Sequence, residues 1–335
     1  MAALIVTIGD PTGIGPEVLA KALAPPPASA LLVVGDLRTW EETCRRVGTP
    51  TMLRPVPAGG PTALVDGRVP FLDVPPADRD WVLGQVSPAA GRAAAQWLEA
   101  AVRLALAGYG RAVTFAPLNK QAMIRAGYPV RDEYELCARL AGVADHDELN
   151  AIPHPAGPEG RLLWAARVTG HLPFREIVGH LSAARVLRAI RLVHRAAVAA
   201  GVAAPCVGVA ALNPHAGEGG LLGDEEGRVI APAVAAAVAE GIAATGPVPA
   251  DHVFRRARAG EFDAVVAMYH DQAQIATKLL GFDRGVSVGV GYPFVLTTPS
   301  HGTAHDIAGR GVADPRPMRQ ALDLAARLRT VSLDR

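Results

Sequence analysis

Paired cysteine is the first thing this sequence lacks. Only three cysteines, Cys44, Cys137 and Cys206, stand among 335 residues. They are odd in number, widely spaced and set in apolar or helical surroundings, so they read as core thiols or surface bystanders in a reducing compartment. Long apolar runs are missing too. None approaches the roughly 18–20 residues that cross a bilayer, which excludes a helical membrane span. The opening MAALIVTIGDPTG has no basic stretch and no small-residue cleavage site, so the expected location is cytoplasmic. Charge of one sign is equally scarce, the net formal charge being +1. The only basic cluster is Arg255, Arg256 and Arg258, which argues against nucleic acid as the main partner. Lysine is nearly absent. Of 33 basic residues only Lys21, Lys120 and Lys278 are lysines. In a chain that uses arginine for its generic cations, a retained lysine marks a place for a titrating or compact donor. Lys21 reads as a solvated helix residue; the surroundings of Lys120 and Lys278 point to more.

What is present is alternation. Short β-branched runs (Leu4–Ile8, Leu31–Val34, Ala112–Phe115, Leu163–Val168, Val207–Ala211, Ala264–Met268, Val286–Val290) alternate with Ala/Leu/Arg-rich helical stretches such as Ala89–Ala107, Ser182–Ala200 and Pro315–Leu328. The pattern predicts an α/β fold with mostly parallel sheet covered by helices. Gly/Pro-rich stretches at 24–28, 56–61, 153–160 and 244–249 read as loops. Open α/β sheets bind ligands at strand ends, and four such places carry chemistry.

Gly9-Asp10-Pro11-Thr12-Gly13-Ile14-Gly15-Pro16-Glu17 follows the first strand and opens a helix. Gly13 and Gly15 suit a tight turn or a close ligand approach, although the spacing is not the dinucleotide fingerprint. Three histidines, His171, His215 and His270, sit at three separate strand ends, where neutral imidazoles are able to converge on one metal and leave positions open for substrate. A lone strand-end histidine is more often a satisfied polar residue; three beside Gly, Pro or Asp make coincidence harder to sustain. Lys278 lies eight residues past His270 on the following helix, with Asp271 and Asn213 as neighbours able to orient a ligand or a substrate hydroxyl. Finally, two glycine turns flank a short helix-compatible stretch in His301-Gly302-Thr303-Ala304-His305-Asp306-Ile307-Ala308-Gly309. There Asp306 suits a ribose diol and opposes a 2′-phosphate, while the plain alternative is a capped surface loop.

GDPTGIGPE, TGHLPF, LNPHAGEGG, MYHDQ and HGTAHDIAGRGVAD, in that order along nearly the whole chain, resemble the 4-hydroxythreonine-4-phosphate dehydrogenase family. The resemblance implies a two-domain α/β/α fold like that of the isocitrate and isopropylmalate dehydrogenases, with the active site in the interdomain cleft and at a homodimer interface. It places domain limits at 1–125 with 270–335 (cofactor) and 126–269 (substrate, metal and dimerisation). His171, His215 and His270 become metal ligands for one divalent ion (Zn, Co, Ni, Mn or Mg), and Lys278 becomes a substrate contact. HGTAHDIAG is also similar to the adenosine-binding loop of isopropylmalate dehydrogenases, which implies His301 near adenine and Asp306 on the ribose, hence NAD. The implied reaction is oxidation of a secondary alcohol in pyridoxine biosynthesis, with decarboxylation following where a carboxylate sits β to the new ketone; Asp271 directly, or Lys278 through water, is the candidate base.

The departures concern substrate. Where the family reads Gly-His-Thr-Glu, this chain reads Asp132-Glu133-Tyr134-Glu135; a family asparagine is Ser287 and a family arginine is Leu296. A phosphate dianion needs donors and positive charge. These replacements remove two cationic donors and add an anion, so they favour an unphosphorylated hydroxy acid or a cyclic cis-dihydrodiol carboxylate over a phosphorylated substrate. Dihydrodiol dehydrogenases on this scaffold likewise carry leucine in place of that arginine. A catalytically silent ligand-binding paralogue is the third reading, opposed by the retained histidines, Lys278 and Asp306.

Overall fold

The structure is a computed structural model, and it describes residues 3–50, 53–57, 60, 67–331 and 333. The chain divides into two compact units, Met1–Asp147 with Val286–Arg335, and Glu148–Gly285. The first contains β1 (Ala3–Thr7), α1 (Gly15–Ala22), β2 (Leu31–Gly35), α2 (Leu37–Val47), β3 (Leu53–Pro55), β4 (Val69–Asp73), α3 (Pro88–Leu106), β5 (Gly110–Phe115), α4 (Lys120–Arg125) and α5 (Glu133–Ala141). The second contains β6 (Asp147–Pro153), β7 (Leu162–Arg167), α6 (Ala183–Ala199), β8 (Val207–Ala210), α7 (Ala231–Ala239), β9 (Ala244–Val248), α8 (Ala250–Arg258), β10 (Ala264–Ala267) and α9 (His270–Gly281). β11 (Val286–Val290), β12 (Val295–Pro299) and α10 (Arg316–Arg327) return to the first.

In the first unit the strand order is β3-β4-β2-β1-β5-β12-β11. All neighbours are parallel except β11 and β12. β1, β2 and β12 are buried along their whole length, as strands covered on both faces must be, and their runs are accordingly apolar and β-branched. The chain leaves β1 towards β2 on one side and reaches β5 on the other, so the end of β1 is a topological switch point, where such sheets take ligands. In the second unit the order is β6-β7-β10-β8-β9. β6 runs antiparallel to β7, and the remaining pairs are parallel. Its core gathers Ile152, Leu163, Val265, Phe254 and Phe262.

The predicted strands and helices are present within a residue or two of their expected limits, and the mixed α/β class is as expected. Two local readings change. Residues 244–249 are not a loop: Ala244–Val248 pairs with β8, and Pro247 is accommodated because β9 is an edge strand. The 301–309 segment forms successive turns instead of a short helix. α9 packs on β7 and β10, which keeps His270, Asp271 and Lys278 in the second unit, whereas the sequence reading starts the other domain at residue 270.

Candidate active site

In the second unit β10 lies between β7 and β8, all three parallel. Their carboxyl ends are therefore neighbours, and His171, His270 and His215 follow these three ends. The rings of His171 and His270 stand 5.0 Å apart, tilted by 43°. His270 begins α9, and its Nδ1 bonds Asp271 Oδ1 at 2.6 Å. With that nitrogen protonated, Nε2 keeps its lone pair for an outside ligand. The strand ends are tied to one another. Thr169 donates its hydroxyl to Met268 O at 2.8 Å, and Phe174 meets Tyr269 edge-on at 5.7 Å. Lys278 and Asp271 are exposed on α9. Among the described residues no three or more His, Cys, Asp or Glu form a metal-holding group; the pair the structure brings together is His171 and His270.

His215 stands on an unusual turn. His215, Ala216, Gly217, Glu218 and Gly219 all have positive φ, at 53°, 55°, 78°, 45° and 68°. A left-handed residue other than glycine costs roughly 1–2 kcal/mol, so the turn must be held by its surroundings. Glu226 holds it. Its buried carboxylate accepts from the backbone of Leu212 (2.9 Å) and Asn213 (2.7 Å) and from the Asn213 amide (2.9 Å). The same amide donates to Glu225 at 2.7 Å. Burial opposes the charge on Glu226, but these bonds outweigh it and hold the carboxyl below its usual range. Asn213, a predicted substrate contact, thus has its amide nitrogen directed at two carboxylates. Beside the turn lies a hollow of about 630 Å³ walled in part by Ala216, Gly219, Gly220, Asp224 and Arg228, within the range of small-molecule sites.

In the first unit the structure joins the two segments predicted to hold cofactor. Ile14 N donates to Thr303 O at 2.9 Å. A Cβ at Gly13 would stand 2.7 Å from Thr303, and one at Gly15 2.8 Å from Ile8 O, so packing alone demands both glycines. Asp10, fully buried, accepts from the Thr12 amide and hydroxyl, and Thr12 Oγ1 lies 3.2 Å from His305 Nε2. Lys21 is not a solvated helix residue. It donates to Glu17 (2.8 Å) and to the carbonyls of Gly311 (2.7 Å) and Ala313 (2.9 Å), while Glu17 accepts from the Gly311 and Ala313 amides. His301 is half-buried, and burial pushes its imidazole pKa down; Asp306 is exposed.

The altered substrate residues also lie in the first unit. Asp132 caps α5 by accepting from Glu135 N, and Glu135 binds Arg131 and Arg139, so the Asp-Glu-Tyr-Glu run doubles as a helix start. Glu133 is buried with Oε2 3.9 Å from Lys120 Nζ. Tyr134 is buried against Phe115. Ser287 Oγ lies 3.2 Å from Ser300 Oγ, and Leu296 is fully buried on β12. The roles of Glu226 and Gln272 escaped sequence reasoning because most of their partners are backbone groups. Only the rarity of lysine hinted at Lys21.

Comparison with known proteins finds relatives along nearly the whole chain. Residues 28–325 match the family model of pyridoxal phosphate biosynthetic protein PdxA. The 4-hydroxythreonine-4-phosphate dehydrogenase of Beijerinckia indica is 42% identical over 327 residues, covering 97% of this chain and 95% of the relative. The D-threonate 4-phosphate dehydrogenase of Cupriavidus necator is 40% identical over 329 residues, covering 97% and 96%. Among solved structures, a 4-hydroxythreonine-4-phosphate dehydrogenase from Klebsiella pneumoniae superposes with TM-score 0.82 at 37% identity, covering 97% of this chain and 98% of that one. A terephthalate 1,2-cis-dihydrodiol dehydrogenase from Burkholderia xenovorans gives 0.64 at 30%, with 97% and 98% covered. Fold and relatives together define a nicotinamide-linked dehydrogenase acting on a CH–OH group. The chain belongs to the 4-hydroxythreonine-4-phosphate dehydrogenase family, that of the pyridoxal phosphate biosynthetic protein PdxA.

Proposed function

We propose that this chain oxidises a secondary alcohol of a phosphorylated four-carbon hydroxy acid, the class named for its relatives, with NAD as hydride acceptor and a divalent ion held through His171, His215 and His270. The observation that carries the reading is the approach of His171 and His270 to 5.0 Å at adjacent strand ends, with Asp271 bonded to His270. Three imidazoles suit zinc, cobalt, nickel or manganese better than magnesium. When bound, such an ion lowers the pKa of the substrate hydroxyl. Asp271 fixes the His270 tautomer, and with Lys278 it is the proposed proton-handling group; Lys278 also offers a compact cation to substrate oxygens. Gly13, Gly15, His301 and Asp306 are proposed to seat the adenosine half, with the Asp306 carboxylate favouring a ribose diol. A ketone formed β to a carboxylate then sheds carbon dioxide. A homodimer is part of the proposal, supported by Phe174, Leu221 and Leu279, which are 77%, 80% and 84% exposed on the second unit.

A second reading, an unphosphorylated hydroxy acid or a cis-dihydrodiol carboxylate, is favoured by the Glu133 carboxylate beside Lys120, since an anion there opposes a phosphate dianion. The test is NADH formation with NAD⁺ and Co²⁺ on each substrate class. Turnover of 4-hydroxythreonine 4-phosphate or D-threonate 4-phosphate supports the first reading; turnover of the dihydrodiol carboxylate alone supports the second. Failure to bind metal and NAD leaves a silent paralogue. His215→Ala is expected to abolish Co²⁺ binding and turnover with the fold retained, and wild-type activity in that variant overturns the metal assignment.

A further inference from the structure

The end of the MYHDQ motif is unused by anything above. Gln272 lies on the first turn of α9, two residues beyond His270. Its Oε1 accepts from Met268 N at 2.6 Å, and its Nε2 donates to Ala211 O at 2.8 Å. Met268 O in turn receives the Thr169 hydroxyl and backbone N–H. One neutral amide thus links the end of β10 to the end of β8, and through Met268 to the end of β7. Each of the three joined residues, Thr169, Ala211 and Met268, stands two to four residues before a histidine. An amide suits this place because it donates and accepts at once. It makes both bonds without charge, so the link does not weaken as nearby groups titrate.

We propose that Gln272 is a positioning residue that sets the spacing of the His215 turn relative to the His171–His270 pair. Its kinetic consequence rests on the metal-dependent reading; its structural consequence does not. Gln272→Glu keeps an acceptor for Met268 N but sets a carboxylate oxygen against Ala211 O, breaking one link. Gln272→Leu breaks both. Amide hydrogen exchange on the metal-free full chain is expected to quicken over 212–220 in Gln272→Glu with Met268 unchanged, and at both places in Gln272→Leu. The melting temperature should stay within about 5 °C of wild type. Co²⁺ affinity and kcat should each fall about tenfold or more, as for groups that orient metal ligands, with KM for the nicotinamide cofactor unmoved. Wild-type exchange over 212–220 in both variants, or a uniform rise across the whole chain, overturns the inference. If wild-type protein binds no Co²⁺, the metal reading falls while the exchange pattern still decides the role of Gln272.

Discussion

The segments joined at the end of β1 and the histidine-bearing ends of β7, β8 and β10 follow the same α/β logic, yet they use polar groups in opposite ways. In the first unit the buried acidic groups are bonded to other parts of the same unit. Asp10 and Glu17 are 0% and 2% exposed, and their bonds to Thr12, Lys21, Gly311 and Ala313 bring together stretches of chain almost 300 residues apart. In the second unit His171, His215, Asp271 and Lys278 face outward, and order comes from a few links beneath them, through Thr169, Gln272 and Glu226. A region that satisfies its own charges builds a seat; one that leaves imidazoles exposed keeps them for a ligand. Substitutions in the first should therefore register as stability or cofactor affinity, and in the second as turnover.

The sharpest attempt to break this contrast is His270→Ala. It is expected to lower kcat at least about 100-fold, more than the loss of a group that merely orients a ligand, while the urea midpoint stays at its wild-type value. A large loss of stability instead would make the second region as structural as the first. Next comes Lys21→Met. It leaves the buried Glu17 carboxylate and two carbonyls without their cation, and breaking such a pair costs about 3 kcal/mol. Urea unfolding would register that loss, whereas kcat at saturating cofactor should hardly change. Glu226→Ala is smaller, about 2 kcal/mol, because it strands two part-buried backbone donors, Leu212 N and Asn213 N. Faster exchange confined to the 212–220 turn distinguishes it from general destabilisation.

Runs such as Leu31–Val34 and Ala264–Met268 announced their strands because parallel strands buried on both faces must be continuously apolar. β9 hid behind Gly246-Pro247, a turn signal that an edge strand overrides. The histidines were legible one by one, as imidazoles after β-branched runs. That His171 meets His270 follows from β10 lying between β7 and β8, an order that no local pattern encodes. Lys21, Glu226 and Gln272 were illegible for a related reason. Most of their bonds go to backbone carbonyls or amides, which every residue carries, and such partners leave no mark on the sequence.

Acid offers the gentlest discrimination between the regions, because the key carboxyl groups shift in opposite directions. Burial raises the pKa of Asp10, with the Thr12 bonds and His305 pulling back only partly. For Glu226 burial is outweighed by the Asn213 and Leu212 bonds, and the pKa is lowered from 4.5. A depressed carboxyl contributes stability that is full above its unfolded pKa and lost as pH falls through the folded one; a raised carboxyl is relieved of strain on the same descent. Taking the protein below about pH 4.5 should therefore loosen the 212–226 segment before the 9–17 segment. Hydrogen exchange, corrected for its intrinsic pH dependence, should record protection lost first around Leu212 and Asn213. Equal loss in both segments would mean that Asp10 and Glu226 are held alike, and the contrast between a self-satisfied seat and a propped, outward-facing site would lose its electrostatic basis.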